Sequence, residues 1–277
     1  MSFINYIYRG AKYVLSGIPV KDIRVNVSYT QPNHRLEGKK VVITGGGRGI
    51  GLSMAKRFIS EGAEVLISGR NKETLENSSQ MIGCHYLTLD VQQVETFESF
   101  INHAWDLLGG IDCLVNNAGV SHHEKSFEEV SISDFDIQIN TNLRGSYFLA
   151  QSFVKKYVKE KKTSGNILFV SSERGMMADD LPYGISKAAI NSLVQGLAKT
   201  LITKGIRVNA IAPGVTTSGM TGVNANDNLF RESQATFRVY LPEEVAETAC
   251  FLLSDESNLL NGHILVCNEG KSINFRR

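Results

Sequence analysis

From Lys39 onward the chain alternates between two kinds of apolar pattern. Short runs rich in β-branched residues recur at 39–44, 63–68, 85–89, 111–115, 166–170, 206–211 and 263–266. Between them lie helix-length stretches with apolar positions three and four apart, as Met54, Ala55, Phe58 and Ile59 are after the first run. Strands that are apolar continuously, not at alternate positions, are buried on both faces. The alternation therefore predicts an α/β fold, a parallel sheet covered by helices on both sides. No linker-like block of Pro, Ser or charge interrupts it, and there is no internal repeat or low-complexity segment. One domain over 36–277 is predicted, preceded by an extension over 1–35.

The extension has its own pattern. Phe3, Ile7, Ala11 and Val14, with Ile4, Tyr8 and Leu15 beside them, recur at helical spacing, and Ile23, Val25, Val27 and Tyr29 then alternate as a strand does. Gln31-Pro32-Asn33 closes it. Arg9 and Lys12 interrupt the apolar part, which argues against a secretory signal. A basic amphipathic helix also fits an organelle transit peptide, but an element packed on its own or a neighbouring subunit is the preferred reading.

Composition adds exclusions. Hydrophobic residues make up 42% of the 277 residues and charged ones 21%, enough for a sizeable core. With 29 Lys and Arg against 28 Asp and Glu, the net charge of +1 gives no reason to expect nucleic acid or an anionic membrane as partner. No run reaches the roughly 20 apolar residues of a membrane span. Cys84, Cys113, Cys250 and Cys267 are far apart, without metal-ligand spacing, and each lies in or beside an apolar run. Buried reduced thiols, no metal site and a cytoplasmic location are the expectations.

The first chemical signal follows the first predicted strand: Gly45-Gly46-Gly47-Arg48-Gly49-Ile50-Gly51, opening a helix. Gly45 suits a tight turn, Gly49 lets backbone N–H groups approach a pyrophosphate, and Gly51 allows helix to pack on strand, with the helix N-terminus positive. The second strand chooses the dinucleotide. It ends Ile67-Ser68-Gly69-Arg70-Asn71, with no acid to hold a ribose 2′-hydroxyl. Arg70, flanked by Arg48, suits the 2′-phosphate of NADP(H) instead, and NAD(H) is the less favoured cofactor. At later strand ends, Asp90 and Val91 face the adenine in this reading, and Asn117, Ala118 and Gly119 lie against the ribose. Both loops also read as ordinary turns or caps.

After the fifth strand come Ser171-Ser172, and then Tyr183-Gly184-Ile185-Ser186-Lys187 opens an apolar-periodic helix. Residues four apart share a helix face, so the Lys187 charge is expected to lower the Tyr183 pKa and make it a usable acid or base.

Together these motifs resemble the classical short-chain dehydrogenase/reductase family over nearly all of 36–270. The carriers are the glycine turn from Thr44 to Gly51, Asn116-Asn117-Ala118-Gly119, Asn142 within Thr141-Asn142-Leu143-Arg144-Gly145, Ser171-Ser172, Tyr183 with Lys187, and Pro213-Gly214. The resemblance implies a doubly wound, seven-stranded parallel sheet (a Rossmann fold) and nicotinamide-dependent interconversion of carbonyl and alcohol in a homo-oligomer, tetramer or dimer. It implies that Tyr183 protonates the carbonyl oxygen, Ser172 (or Ser171) hydrogen-bonds it, Lys187 binds the nicotinamide ribose, and Asn142 holds a relay water. Pro213, Gly214, Thr216 and Ser218 would line the nicotinamide, and 216–240 would form a flap with Met220, Leu229, Phe230 and Phe237 as pocket wall.

Three departures stand out. The interval from Ser172 to Tyr183 is a couple of residues short, Thr216 and Ser218 replace the usual aliphatic and Thr after Pro-Gly, and Glu173, Asp179 and Asp180 put acids where substrate is expected. The leading reading is an NADP(H)-dependent carbonyl reductase or alcohol dehydrogenase acting on a small molecule. A 3-oxoacyl thioester on acyl carrier protein is the alternative substrate, with Arg144, Arg231 and Arg238 as contacts. A non-catalytic nucleotide-binding scaffold is the alternative of another class.

Overall fold

The structure, a computed structural model, describes residues 21–25 and 32–273. Seven strands form where the apolar runs predict them: β1 (Lys40–Thr44), β2 (Glu64–Gly69), β3 (His85–Thr88), β4 (Cys113–Asn116), β5 (Gly165–Val170), β6 (Ile206–Pro213) and β7 (Ile264–Cys267). They make one parallel sheet in the order β3-β2-β1-β4-β5-β6-β7. The connections are α1 (Gly49–Ser60), α2 (Lys72–Ile82), α3 (Phe97–Leu108), α4 (Ile132–Ile139), α5 (Ser146–Lys159), α6 (Pro182–Leu201) and α7 (Pro242–Leu253). A π-helical segment, Asn140–Gly145, joins α4 to α5.

Successive strand residues feed opposite cores. Val42, Leu66, Leu114 and Ile167 pack with Phe97 and Ile101 of α3, Phe153 and Tyr157 of α5, and Ile190 and Val194 of α6. Val41, Ile43, Ile67, Val115 and Leu168 pack on the other face with Met54 and Phe58 of α1 and Val245, Ala249 and Leu252 of α7. This is the doubly wound arrangement expected. Strands β1, β2, β4, β5 and β6 are almost wholly buried, whereas β3 and β7, the two sheet edges, are only half-covered. Sequence alone does not tell an edge from a centre, because both read as short apolar runs.

The helical positions predicted at Phe3, Ile4, Ile7, Tyr8, Ala11, Val14 and Leu15 lie outside the described residues, as do Val27 and Tyr29. Where description resumes, Asn33 and Arg35 donate backbone N–H groups to Glu61 Oε2 at 3.0 and 3.1 Å. The Glu61 side chain, fully buried at the end of α1, also takes Arg35 at 2.8 Å and Arg57 at 2.7 Å. Burial works against its charge, yet the hydrogen bonds from Arg35 and Asn33 hold the carboxyl below the usual carboxylate range. All four cysteines are free thiols. Cys113 and Cys250 are buried, and burial pushes both up to about 12. Cys84 and Cys267 are only partly buried, a correction to the expectation, because they sit at or beside the half-covered edge strands.

Candidate active site

The strand order reverses between β1 and β4, and the glycine turn crosses the sheet edge beside that point. In open α/β sheets this is where a ligand crevice forms. Gly45 and Gly49 take left-handed conformations at φ 64° and 55°. Gly51 is required by contact: a Cβ there would lie 2.2 Å from the Gly45 carbonyl oxygen and 2.6 Å from Asn117 Nδ2. Gly47 sits against the start of α2, where a Cβ would stand 3.2 Å from Thr74.

The two helix starts at this edge differ. Helix α2 is capped, the Asn71 side chain accepting from the Thr74 N–H at 2.8 Å. Helix α1 has Arg48 at its N-cap with no side-chain cap and no acid in its first turn. Its leading N–H groups, at Gly49 and Ile50, are left for an anion. Arg48 and Arg70 are both exposed. Arg48 extends towards the flap, its guanidinium within 3.8 Å of where a Gly219 Cβ would stand.

The Asn117 side chain is engaged within the fold. Its Nδ2 donates to the Thr44 and Gly45 carbonyls at 2.8 and 3.1 Å, so the side chain turns inward and pins the glycine turn. Thr44 Oγ1 in turn accepts from the N–H groups of Asn117 and Ala118, both at 3.0 Å. Thr44 was not singled out in the sequence as a site residue, and its position at the end of β1, opposite β4, is the signal that finds it. Asp90 closes a local turn by accepting from the Gln92 N–H at 3.0 Å, while Val91 is buried and its carbonyl presses on Gly145.

Beyond β5 the two serines part. Ser171 Oγ donates to Asn191 Oδ1 at 2.6 Å and is engaged within the fold. Ser172, at the next position, accepts from the Arg174 N–H at 3.3 Å, and its hydroxyl acts to lower the Tyr183 pKa. Tyr183 lies in the first turn of α6, which Pro182 opens at N1. One turn on, Lys187 is buried, with Nζ donating to the Val170 carbonyl at 2.7 Å and lying 5.6 Å from the Tyr183 ring centroid. Burial pushes the Lys187 ammonium down to about 8. Burial also dominates at Tyr183 and pushes its hydroxyl up, opposed by the Ser172 hydrogen bond and then by the Arg174 charge. This corrects the expectation that Lys187 would lower the Tyr183 pKa: in the packed site, desolvation outweighs neighbouring charge.

Asn142 sits in the π-helical segment, an irregularity often found at functional sites. Its Oδ1 accepts from the Val120 N–H at 2.8 Å, and its Nδ2 donates to the Val120 carbonyl and Ser186 Oγ at 2.9 and 3.2 Å. Gly119 fits between Asn142 and Lys187, where a Cβ would stand 3.3 and 3.6 Å from their polar atoms.

Two of the three acids are paired within the fold. Glu173 is buried and held by Lys271 at 2.7 Å and Asn268 at 3.1 Å. Asp179 pairs with Arg174 through two 2.6 Å bonds, and only Asp180 is exposed.

Around the flap, Gly214 N–H donates to Cys267, and Tyr240 packs so closely that a Gly214 Cβ would fall 2.6 Å from its ring. The Thr216 hydroxyl turns back to the Gly214 carbonyl at 3.0 Å, and Ser218 shares its hydroxyl with Thr221 while lying over Gly49. The predicted pocket wall divides. Leu229 is fully buried, Met220 keeps 38% of its surface exposed, and Phe230 and Phe237 stack on each other at 6.5 Å with the Lys21 ammonium 5.3 and 5.5 Å from their centroids. The extension reaches this flap directly: Leu229 donates its N–H to the Ile23 carbonyl, and Asn228 bonds both Ile23 and Lys21. Across the site, His123 contacts the Met220 carbonyl at 2.7 Å. Neither contact was legible in sequence spacing.

Among the described residues no helix is long and apolar enough to cross a membrane, and no cluster of His, Cys, Asp and Glu could hold a metal ion.

Comparison with known proteins agrees with this geometry. A family model described as enoyl-(acyl carrier protein) reductase matches residues 45–272. The 3-oxoacyl-[acyl-carrier-protein] reductase of Aquifex aeolicus is 30% identical over 246 residues, spanning 85% of this chain and 98% of its own. The L-rhamnose 1-dehydrogenase (NADP(+)) of Thermoplasma acidophilum is 32% identical over 256 residues, spanning 87% of this chain and 98% of its own. Among solved structures, the 3-ketoacyl-(acyl-carrier-protein) reductase from Brucella melitensis complexed with NADH superposes with a TM-score of 0.80 at 31% identity, covering 86% of this chain and 100% of that one.

Proposed function

Because the chain belongs to the short-chain dehydrogenase/reductase family, whose members are oxidoreductases that bind NAD or NADP, we propose that it uses NADP(H) to interconvert a ketone or aldehyde and the matching alcohol. The observation that carries this reading is the meeting of Ser172, Tyr183 and buried Lys187 at the sheet edge that also holds the uncapped start of α1.

The glycine turn fits a dinucleotide. A side chain is excluded at Gly51 by contact with backbone and disfavoured at Gly45 by its left-handed conformation, and the N–H groups at the start of α1 suit a diphosphate. Arg70 and Arg48, at a strand end without an acid, support the 2′-phosphate and hence NADP(H). Asp90, Val91, Ala118 and Gly119 border the adenosine side in this reading, and Pro213, Gly214, Thr216 and Ser218 the nicotinamide side. When bound, the nicotinamide supplies or accepts the hydride at the reacting carbon.

The chain's own residues handle the proton. Tyr183 donates to the carbonyl oxygen in reduction and takes the proton back in oxidation. Its raised pKa keeps it a protonated donor at neutral pH. Ser172 gives a second hydrogen bond to the same oxygen, and because negative charge grows there, two aimed donors favour the transition state over the ground state. Lys187 is assigned the ribose hydroxyls and Asn142 the relay. The Asn142 side chain also bonds Val120 and Ser186, which fixes the loop after β4 beside Lys187.

Two measurements test the reading. Y183F is expected to lower kcat/KM about a thousandfold with NADPH affinity kept. Unchanged turnover overturns catalysis by Tyr183, whereas nucleotide binding without turnover of any carbonyl or alcohol by the wild type would leave the non-catalytic scaffold. NADPH is expected to bind at least about tenfold tighter than NADH, roughly 1.4 kcal/mol.

A second substrate reading has its own support. An acidic carrier protein is disfavoured by unpaired acids near the site, and with Glu173 paired to Lys271 and Asp179 to Arg174 only exposed Asp180 of the three remains to oppose it. The A. aeolicus relative carries that activity in its name. A much lower KM for a carrier-bound 3-oxoacyl thioester than for the coenzyme A thioester would select it. Exposed Tyr147 and Phe148 on α5 and Ile185 on α6 support a homo-oligomer, dimer or tetramer, testable by sedimentation. Four free thiols support the cytoplasm.

A further inference from the structure

The loop between Ser172 and Tyr183 is short and tightly built. It starts with a turn, Glu173–Met176, whose Arg174 N–H donates to Ser172 Oγ at 3.3 Å. Arg174 then forms a fork with Asp179, Nε and Nη2 each 2.6 Å from a carboxylate oxygen. Asp179 in turn accepts the Leu181 N–H at 3.0 Å, at the residue that caps α6. Its carboxylate lies so close to the helix that a Cβ on Gly184 would fall 2.0 Å from Oδ2. Gly175 is confined too: a Cβ there would fall 2.7 Å from the Lys187 backbone. Two residues on either side of the loop, Ser172 and Tyr183, are thus joined by one chain of contacts running through the Arg174 and Asp179 pair.

The same guanidinium lies 5.9 Å from the Tyr183 ring centroid. Its side chain keeps about a third of its surface in solvent, whereas Asp179 keeps less than a tenth. Among the described residues, the charged groups that face Tyr183 are Arg174 and Glu173 from the loop and Lys187 from its own helix, with Glu173 already matched by Lys271 from the C-terminal segment.

We propose that Arg174 is a positioning residue for Tyr183: anchored by Asp179, it sets the spacing of the Ser172 and Tyr183 hydroxyls and places a fixed positive charge beside the tyrosine ring. The inference rests on the reading of Tyr183 as acid and base. An Arg serves both ends because its planar fork fixes geometry while its charge does not titrate. Asp179 matters twice, as anchor and as the counter-charge that limits how strongly Arg174 favours the phenolate. The direction of the Arg174 influence on the hydroxyl is downward, against the larger upward push of burial.

The test reads Tyr183 directly, without substrate. Tyrosinate absorbance is titrated in each variant and in the same variant carrying Y183F, and the difference reports Tyr183 alone. R174M is expected to raise the midpoint by roughly half a pH unit or more. D179N, which removes the counter-charge but keeps the amide as acceptor, is expected to lower it. R174K keeps the charge and loses the fork, so its midpoint stays near that of the parent while kcat falls with KM little changed. Movement of R174M and D179N in the same direction, or no movement in either, overturns the proposal, as does an R174K midpoint that follows R174M. Full turnover in Y183F would overturn the functional reading instead, and it would leave these midpoints unaffected.

Discussion

The glycine turn after β1 and the loop after β5 are built in different ways. At the turn from Gly45 to Gly51 the structure is set by what is absent: no side chain at Gly51, no cap on α1, no acid at the end of β2. At the loop from Ser172 to Tyr183 it is set by what is present, charged side chains locked in pairs, Glu173 with Lys271 and Arg174 with Asp179. The first is set mainly by glycines close in the chain, with Asn117 brought in by the fold to pin the turn. The second joins a local pair, Arg174 with Asp179, to a distant one, Glu173 with Lys271, and loops of this kind are where a family fold acquires individual chemistry.

Substitution in the turn and in the loop should therefore fail differently. The largest effect is expected at Gly51. A Cβ 2.2 Å from the Gly45 carbonyl cannot be relieved by a side-chain rotation, so G51A should lose about 3 kcal/mol of stability and all measurable NADPH binding, read by urea unfolding and by nucleotide fluorescence. Retained binding would show that the turn tolerates what the geometry forbids.

Next in size is K271M, which strands the buried Glu173 carboxylate. A loss of about 2 kcal/mol in urea unfolding is expected, smaller than for a wholly buried pair because Lys271 is partly exposed. The double variant E173Q/K271M should recover most of it, and a simple sum of the single losses would mean the pair is not coupled.

Just beyond β2, R70S is expected to weaken NADPH about tenfold, near 1.4 kcal/mol, and to leave NADH unmoved. Equal loss for both cofactors would make Arg70 a general surface charge.

The smallest expected effect sharpens the comparison by pH. Lys187 falls to about 8 on folding, well below its ordinary value, so between these limits the unfolded chain binds one more proton than the folded one. Stability contributed at this site should therefore rise with pH above about 8, and the penalty should be fully present at lower pH. Relative to K187M, the wild type should gain about 1 kcal/mol between pH 8 and 9 in chemical unfolding. A flat difference would mean that Lys187 keeps its charge when buried.

Much was legible in the chain itself. All seven strands follow from continuous apolar runs, since a strand covered on both faces has no polar side to show. The glycine turn and the pairing of Tyr183 with Lys187 are likewise local, each depending on residues within one turn or one helical repeat. What the tertiary structure alone decided lies in contacts between distant residues. It tied the Ser171 hydroxyl to Asn191. It turned Asn117 inward onto Thr44 and Gly45, neutralised Glu173 with a lysine 98 positions away, and laid Ile23 against Asn228, 205 positions on. It also reversed the predicted shift at Tyr183. A charge one turn away can be read from spacing, but desolvation depends on everything packed around the hydroxyl, and no local pattern encodes that sum.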